Sequence, residues 1–150
     1  ISRVSRVNLI TNRRSCCQFR AAPSDYPVNE LMKYLCLVVV DEKKLDGLSK
    51  KEADALDKES LTYDDELRRK GHFVAAQALQ PVHAATTVRL RNGKPLITDG
   101  PFAEAREQVG GFVLIEAKDL NEAIQVASKL PPARFGGVEI RPVRELTRST

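Results

Sequence analysis

The sequence predicts an α+β fold of the ferredoxin-like kind, with two βαβ halves and a hairpin between them. Three observations carry the prediction. Apolar runs of strand length alternate with two helical patterns, and each helix opens on a capping sequence. An Asn-Gly pair sits between two further strand-like runs. The chain has 150 residues, 42% of them hydrophobic and 29% charged, which is enough for one domain with a core. No apolar run approaches the roughly 20 residues of a membrane-spanning helix. The composition excludes a wholly disordered chain, a coiled coil and a disulfide scaffold.

The first strand is Lys33 to Val40, almost continuously apolar, which suits a strand buried on both faces. A polar break follows from Asp41 to Gly47. Ser49 and Glu52 form a capping box that can satisfy the first free N–H groups of a helix. Ala53, Leu56, Ser60, Tyr63 and Leu67 recur at three- and four-residue steps and give that helix one inward face. Arg68, Arg69 and Lys70 suit its negative end, and Gly71 stops it. Phe73 to Leu79 is the second strand.

Thr86 to Leu90 and Pro95 to Thr98 flank Asn92-Gly93, residues that tolerate the positive φ of a tight turn, so they pair as a hairpin. Gly110-Gly111 opens the strand Phe112 to Glu116. Asp119 and Glu122 cap a second helix, whose expected buried face is Leu120, Ala123, Ile124 and Ala127. Pro131-Pro132 ends it, and Val138 to Val143 is the last strand. Two helices cover only one face of a sheet. The doubly apolar first strand therefore needs a second cover, and a partner's sheet in a face-to-face homodimer is the simplest.

Charge is uneven. Residues 1–31 hold five Arg and two acids, net +3, whereas residues 32–150 hold 19 bases and 18 acids, net +1. A nucleic-acid binder concentrates positive charge where it folds, so no nucleic-acid partner is expected. Residues 1–31 show no useful periodicity and are read as an extension ahead of Met32, the sole methionine. An Arg-rich transit peptide is the alternative for that segment. Residues 32–146 form the expected domain and residues 147–150 a tail. Three cysteines, Cys16, Cys17 and Cys36, without metal spacing suit a reducing, cytoplasmic setting, and Cys36 reads as a core residue.

The stretch Thr98 to Gly111 is the most informative. Asp99-Gly100-Pro101 is turn chemistry, and Pro101 could equally start a short helix. Asp99, Glu104 and Glu107 then crowd near Arg106. Asp99-Gly100-Pro101-Phe102, followed by Ala-Glu-x-x-Glu-Gln-x-Gly-Gly, resembles the signature of DGPF-type proteins in the YCII-related family. The resemblance runs from Met32 to about Leu146 and takes in Ala78 to Pro81, Ala85 to Arg89 and Val138 to Val143. It implies a dimeric α/β-barrel form of the fold. It also implies an association with sigma factors of the extracytoplasmic-function class. Shorter relatives are proposed to be enzymes using a His–Asp pair, with the His on the first helix and the Asp before the last strand. This chain has Ser60 and Tyr63 near the first place and Lys129-Leu130-Pro131 at the second, so the pair is not carried over.

The candidate site residues each have a functional and a structural reading. Asp99, Glu104 and His83 are the acid–base candidates, with carboxylate and imidazole chemistry suited to proton transfer. Phe102, Glu107, Arg89 and His72 are the ligand-binding candidates, as aromatic wall, anion, cation and imidazole. Structurally, Asp99 is a turn residue, the two Glu sit on a solvated face, Phe102 packs, Arg89 is a strand arginine, and both His lie in loops. No metal site and no cofactor are expected, since no ligand spacing or phosphate loop is present. Two functions stay open. One is a small-molecule binder or enzyme doing acid–base work on a small polar or aromatic compound near the Asp99 loop. The other is a non-enzymatic interaction module.

Overall fold

The structure, a computed structural model, describes residues 31–146; residues 1–30, with Cys16 and Cys17, and residues 147–150 lie outside the described residues, and with them nearly all of the expected extension and the expected tail. The elements are β1 (Met32–Val40), α1 (Glu42–Asp46), α2 (Lys50–Lys70), β2 (Phe73–Ala78), β3 (Thr86–Arg91), β4 (Lys94–Asp99), β5 (Gln108–Ala117), α3 (Leu120–Ala127) and β6 (Gly136–Pro142). Short 3-10 turns stand at Val82–Ala84 and Pro131–Phe135. A four-stranded sheet runs β2-β5-β1-β6, and β3 and β4 form a separate two-stranded sheet. All pairs are antiparallel. This is the ferredoxin-like order, with the hairpin inserted between the second and third strands of the main sheet.

Both helix starts form as their side chains dictate. The Ser49 backbone N–H donates to Glu52 Oε2 at 2.8 Å, and Glu52 N–H donates to Ser49 Oγ at 3.4 Å. Asp119 Oδ1 accepts from Glu122 N–H at 2.8 Å. α2 buries Leu56, Tyr63 and Leu67, the inward face its spacing predicts. Tyr63 and Leu67 share one core cluster with Tyr34, Cys36, Val38 and Val40 of β1 and Val113, Ile115 and Ala117 of β5. The Tyr63 hydroxyl donates to the Val126 carbonyl at 2.8 Å and ties α2 to α3.

Four local readings are corrected. The polar break after β1 contains a helical turn, α1, because Asp41 O accepts from Lys44 N–H. α3 buries Ala123, Val126 and Ala127, while Leu120 and Ile124 are exposed, because the sheet meets the small-residue side of so short a helix. Gly110 and Gly111 lie inside β5, which starts at Gln108, and Gly110 is the extra residue of a bulge against Val38 and Val39. No helix starts at Pro101.

Alternate residues of β1 divide between the two faces. Leu35 stands opposite Leu114 and Leu37 opposite Phe112, on the face turned away from the helices. No described element covers that face, and these side chains are half-buried at best. No helix among the described residues is long and apolar enough to cross a membrane.

Candidate functional site

The loop over residues 100–107 joins the hairpin to β5 and is pinned at four places. Gly100, at φ +101°, takes a conformation that side chains other than glycine resist. Its N–H donates to Ala85 O at 2.7 Å, and its carbonyl accepts from the Thr87 hydroxyl at 2.8 Å. The Arg89 guanidinium donates to Phe102 O at 3.1 Å and lies 4.7 Å from the Phe102 ring centroid. Gln108 Nε2 donates to the carbonyls of Ala103 and Ala105. Arg106 Nε donates to Asp41 Oδ2 at 3.0 Å.

That ion pair joins unlike surroundings: the Asp41 side chain is 4% exposed and Arg106 81%. The Arg106 hydrogen bond holds the Asp41 carboxyl below its ordinary value, against the cost of its burial. Its second oxygen, Oδ1, is buried without a protein partner among the described residues. A lowered carboxyl pKa stabilises the fold above the ordinary carboxylate value, and that contribution is lost as pH falls through the lowered one. Arg106→Gln is therefore expected to be less stable than the parent at pH 7, with the difference closing in acid below Asp41's lowered pKa. Paired urea titrations across that range check this, and a difference independent of pH would refute it.

A cleft of about 610 Å³ opens between α2 and the β2–β5–β1 part of the sheet. Its floor is apolar, with Val38, Val40 and Val113. Its helical wall carries Asp57, Ser60 and Asp64, spaced i, i+3 and i+7 and so stacked on one side of α2. Burial raises the Asp64 carboxyl above its ordinary value, and Arg68 opposes part of that rise. Arg68 also lies in the wall, 3.9 Å from the Phe73 ring centroid. Ser60 donates its hydroxyl to Leu56 O, which leaves the oxygen lone pairs for a ligand. Val40 and Gly110 bring the floor to the end of the sheet where Asp41 and the loop meet.

The residues expected from sequence fall in three places. Asp99, Glu104, Phe102 and Glu107 are exposed on or beside the loop, and Arg89 is joined to Phe102. His83 is exposed in the turn whose Val82 N–H donates to Glu42, at the same end of the sheet. His72 is at the other end: its Nδ1 lies 2.8 Å from the Glu116 carbonyl, eight residues along β5 from Gln108 and so about 26 Å away at strand rise. None of these seven lines the cleft. Cys36 is buried in β1, and burial pushes its thiol up to about 11, which leaves no thiolate at neutral pH. Among the described residues no three His, Cys, Asp or Glu side chains gather as metal ligands.

Sequence reasoning passed over Asp41, Arg106 and Asp64. Asp64 is half-buried at the cleft. Its signal was the helical spacing to Ser60 and Asp57. The Asp41–Arg106 pair spans 65 residues and has no local signal.

A ferredoxin-like sheet with an open cleft beneath its long helix defines the class: a small α+β protein with a concave surface under α2. The YCII-related domain matches residues 32–147, and the chain belongs to that family. It is also similar to the uncharacterized protein R00369 of Rhizobium meliloti (strain 1021), with 33% identity over 114 residues that cover 75% of this chain and 92% of the relative.

Proposed function

We propose that the protein binds a small polar or aromatic molecule in the cleft under α2 and performs acid–base work on it, with Asp64 as the proton-transfer group. The cleft itself is the observation that supports this reading: an apolar floor faced by Asp57, Ser60 and Asp64 from one helical wall. Few polar groups converging over an apolar surface is the usual form of a small-molecule site. A carboxyl raised by burial holds its proton nearer neutrality, where it can serve as acid or base. The exposed loop acids Asp99, Glu104 and Glu107 lack that environment. In this reading the chain is a DGPF-type member of its family, acts in the cytoplasm and works as a homodimer whose open sheet faces meet.

The test is a thermal-shift screen against a metabolite library, with Asp64→Asn and Asp99→Asn alongside the parent. A ligand at a hundred times its dissociation constant stabilises by about 2.7 kcal/mol. The expected hit is lost in Asp64→Asn and kept in Asp99→Asn. The reverse pattern would move the site to the loop, and equal affinity in all three proteins would refute both placements.

The second reading, an interaction module for an extracytoplasmic-function sigma factor, draws on the exposed apolar residues Leu90 and Ile97 of the hairpin. A native pull-down that recovers no such partner would count against it.

A further inference from the structure

We infer that Arg68 is the specificity-determining residue of the cleft under α2, and that the molecule held there is a small carboxylic acid with an apolar or aromatic body. The inference rests on the small-molecule reading of that cleft and adds a substrate class to it.

Arg68 is the single cation lining the cleft among the described residues. Helix geometry puts it there. Asp57, Asp64 and Arg68 stand at i, i+7 and i+11, so all three fall on one side of α2. Two contacts hold the guanidinium. Its carbon lies 3.9 Å from the Phe73 ring centroid, and Nη1 donates to Asp65 Oδ1 at 2.7 Å. Nε and Nη2 bond no acceptor among the described residues, which leaves N–H donors for a ligand. A planar cation already held in place loses less freedom on binding and matches a carboxylate in shape.

Charge and surface narrow the ligand further. A carboxylate brings one negative charge to one guanidinium. A phosphate dianion would bring two to the same single cation, with Asp57 and Asp64 on the same wall. An amine held by Asp64 would fix that carboxyl as an anion and take from it the proton-transfer role. The floor of Val38, Val40 and Val113 calls for an apolar body beyond the charged group. Asp64 and Arg68 are four residues apart, about 6 Å along the helix axis, so a carboxylate on Arg68 sets the neighbouring part of the molecule at Asp64.

A bound carboxylate also acts on Asp64. Burial raises the Asp64 carboxyl, Arg68 lowers it, and Asp65 raises it. The other walls of the cleft, from β1, β2, β5, Leu45 and residues 130–132, bring no charged side chain among the described residues. An anion on Arg68 offsets the guanidinium charge and repels the Asp64 carboxylate, and both effects raise that carboxyl further. Binding therefore takes up a proton, and affinity falls as pH rises through the range where Asp64 titrates.

The test is isothermal titration of the full chain with benzoate and 3-phenylpropanoate, their neutral amides, and benzylamine. The carboxylates are expected to bind at least tenfold more tightly than their amides and than benzylamine. Titration in two buffers of unlike ionisation heat should show proton uptake with the parent and none with Asp64→Asn. Arg68→Gln should bind acid and amide alike. Arg69→Gln, which removes an exposed neighbour outside the cleft, should keep the preference, and circular dichroism should show both variants folded. Equal binding of acids and amides by the parent would overturn the role of Arg68 and leave the cleft reading standing. Tighter binding of benzylamine would overturn the substrate class. Binding of none of the five at millimolar concentration would overturn the inference, while the metabolite screen would still decide the cleft reading by itself.

Discussion

Leu67→Ala is expected to cost about 3–5 kcal/mol of stability, the range for emptying a leucine site that cannot collapse. Leu67 is 1% exposed and belongs to the cluster that includes Tyr34, Cys36, Tyr63 and Ile115. The strands beneath it are fixed by pairing on both sides of β1, so the cavity has little room to close. A domain of this size is stable by about 5–15 kcal/mol, so a third or more of the total is at stake. Leu61→Ala, on the exposed side of the same helix, should change stability by no more than about 0.5 kcal/mol. Guanidinium titrations of both variants with unchanged m-values would check the pair. Equal effects would mean that α2 is not seated as described. The same contrast bears on function, because α2 is the wall that carries Asp57, Ser60 and Asp64.

Local chemistry made most of this fold readable. Ser49 and Glu52 announce a helix because the two side chains can only reciprocate in that geometry, and the capping box is formed. Asn92 at φ 52° and Gly93 at φ 74° make the turn their dipeptide specifies. The long run from Lys33 to Val40 marked a central strand, and β1 pairs with β5 on one side and β6 on the other. α3 was harder. With eight residues, its period allows two neighbouring faces, and contact with the sheet chose Ala123, Val126 and Ala127 over Leu120 and Ile124.

The candidate site was less legible because it is made by distance. The motif from Asp99 to Gly111 drew attention to its acids, yet the group that ties the loop to the body is Arg106, through Asp41. A carboxylate after a strand and an arginine in a loop become partners only once β1 and β5 are paired. Asp64 shows the same limit. Its neighbours Asp65 and Glu66 bond Arg68 and Lys70 along the helix surface, as a solvated face does. One step around the helix, Asp64 turns toward the cleft and its carboxyl rises.

Gly136→Ala is expected to cost about 3 kcal/mol or more, the upper end of what overpacking does, while Gly137→Ala is expected to be near neutral. The two glycines are adjacent in β6, and only one is crowded. A Cβ on Gly136 would overlap the Val39 carbonyl oxygen and stand 3.0 Å from Val39 C and Val40 Cα, whereas a Cβ on Gly137 meets nothing within 4 Å. Gly136 has φ −178°, extended backbone open to any residue, so its cost is steric. The obstacle is the backbone of β1, and no rotamer change relieves it. β6 would have to move off Val39 and Val40, carrying the Pro131–Phe135 turn whose Phe135 carbonyl accepts from Asp41 N–H. Pro131 and Pro132 border the cleft, so a displaced β6 should also weaken any ligand bound there. Thermal unfolding of the two variants separates the outcomes. A large loss in Gly136→Ala alone supports the β1–β6 register, while equal small effects would show that β6 does not approach β1 closely enough to need a bare backbone at that position.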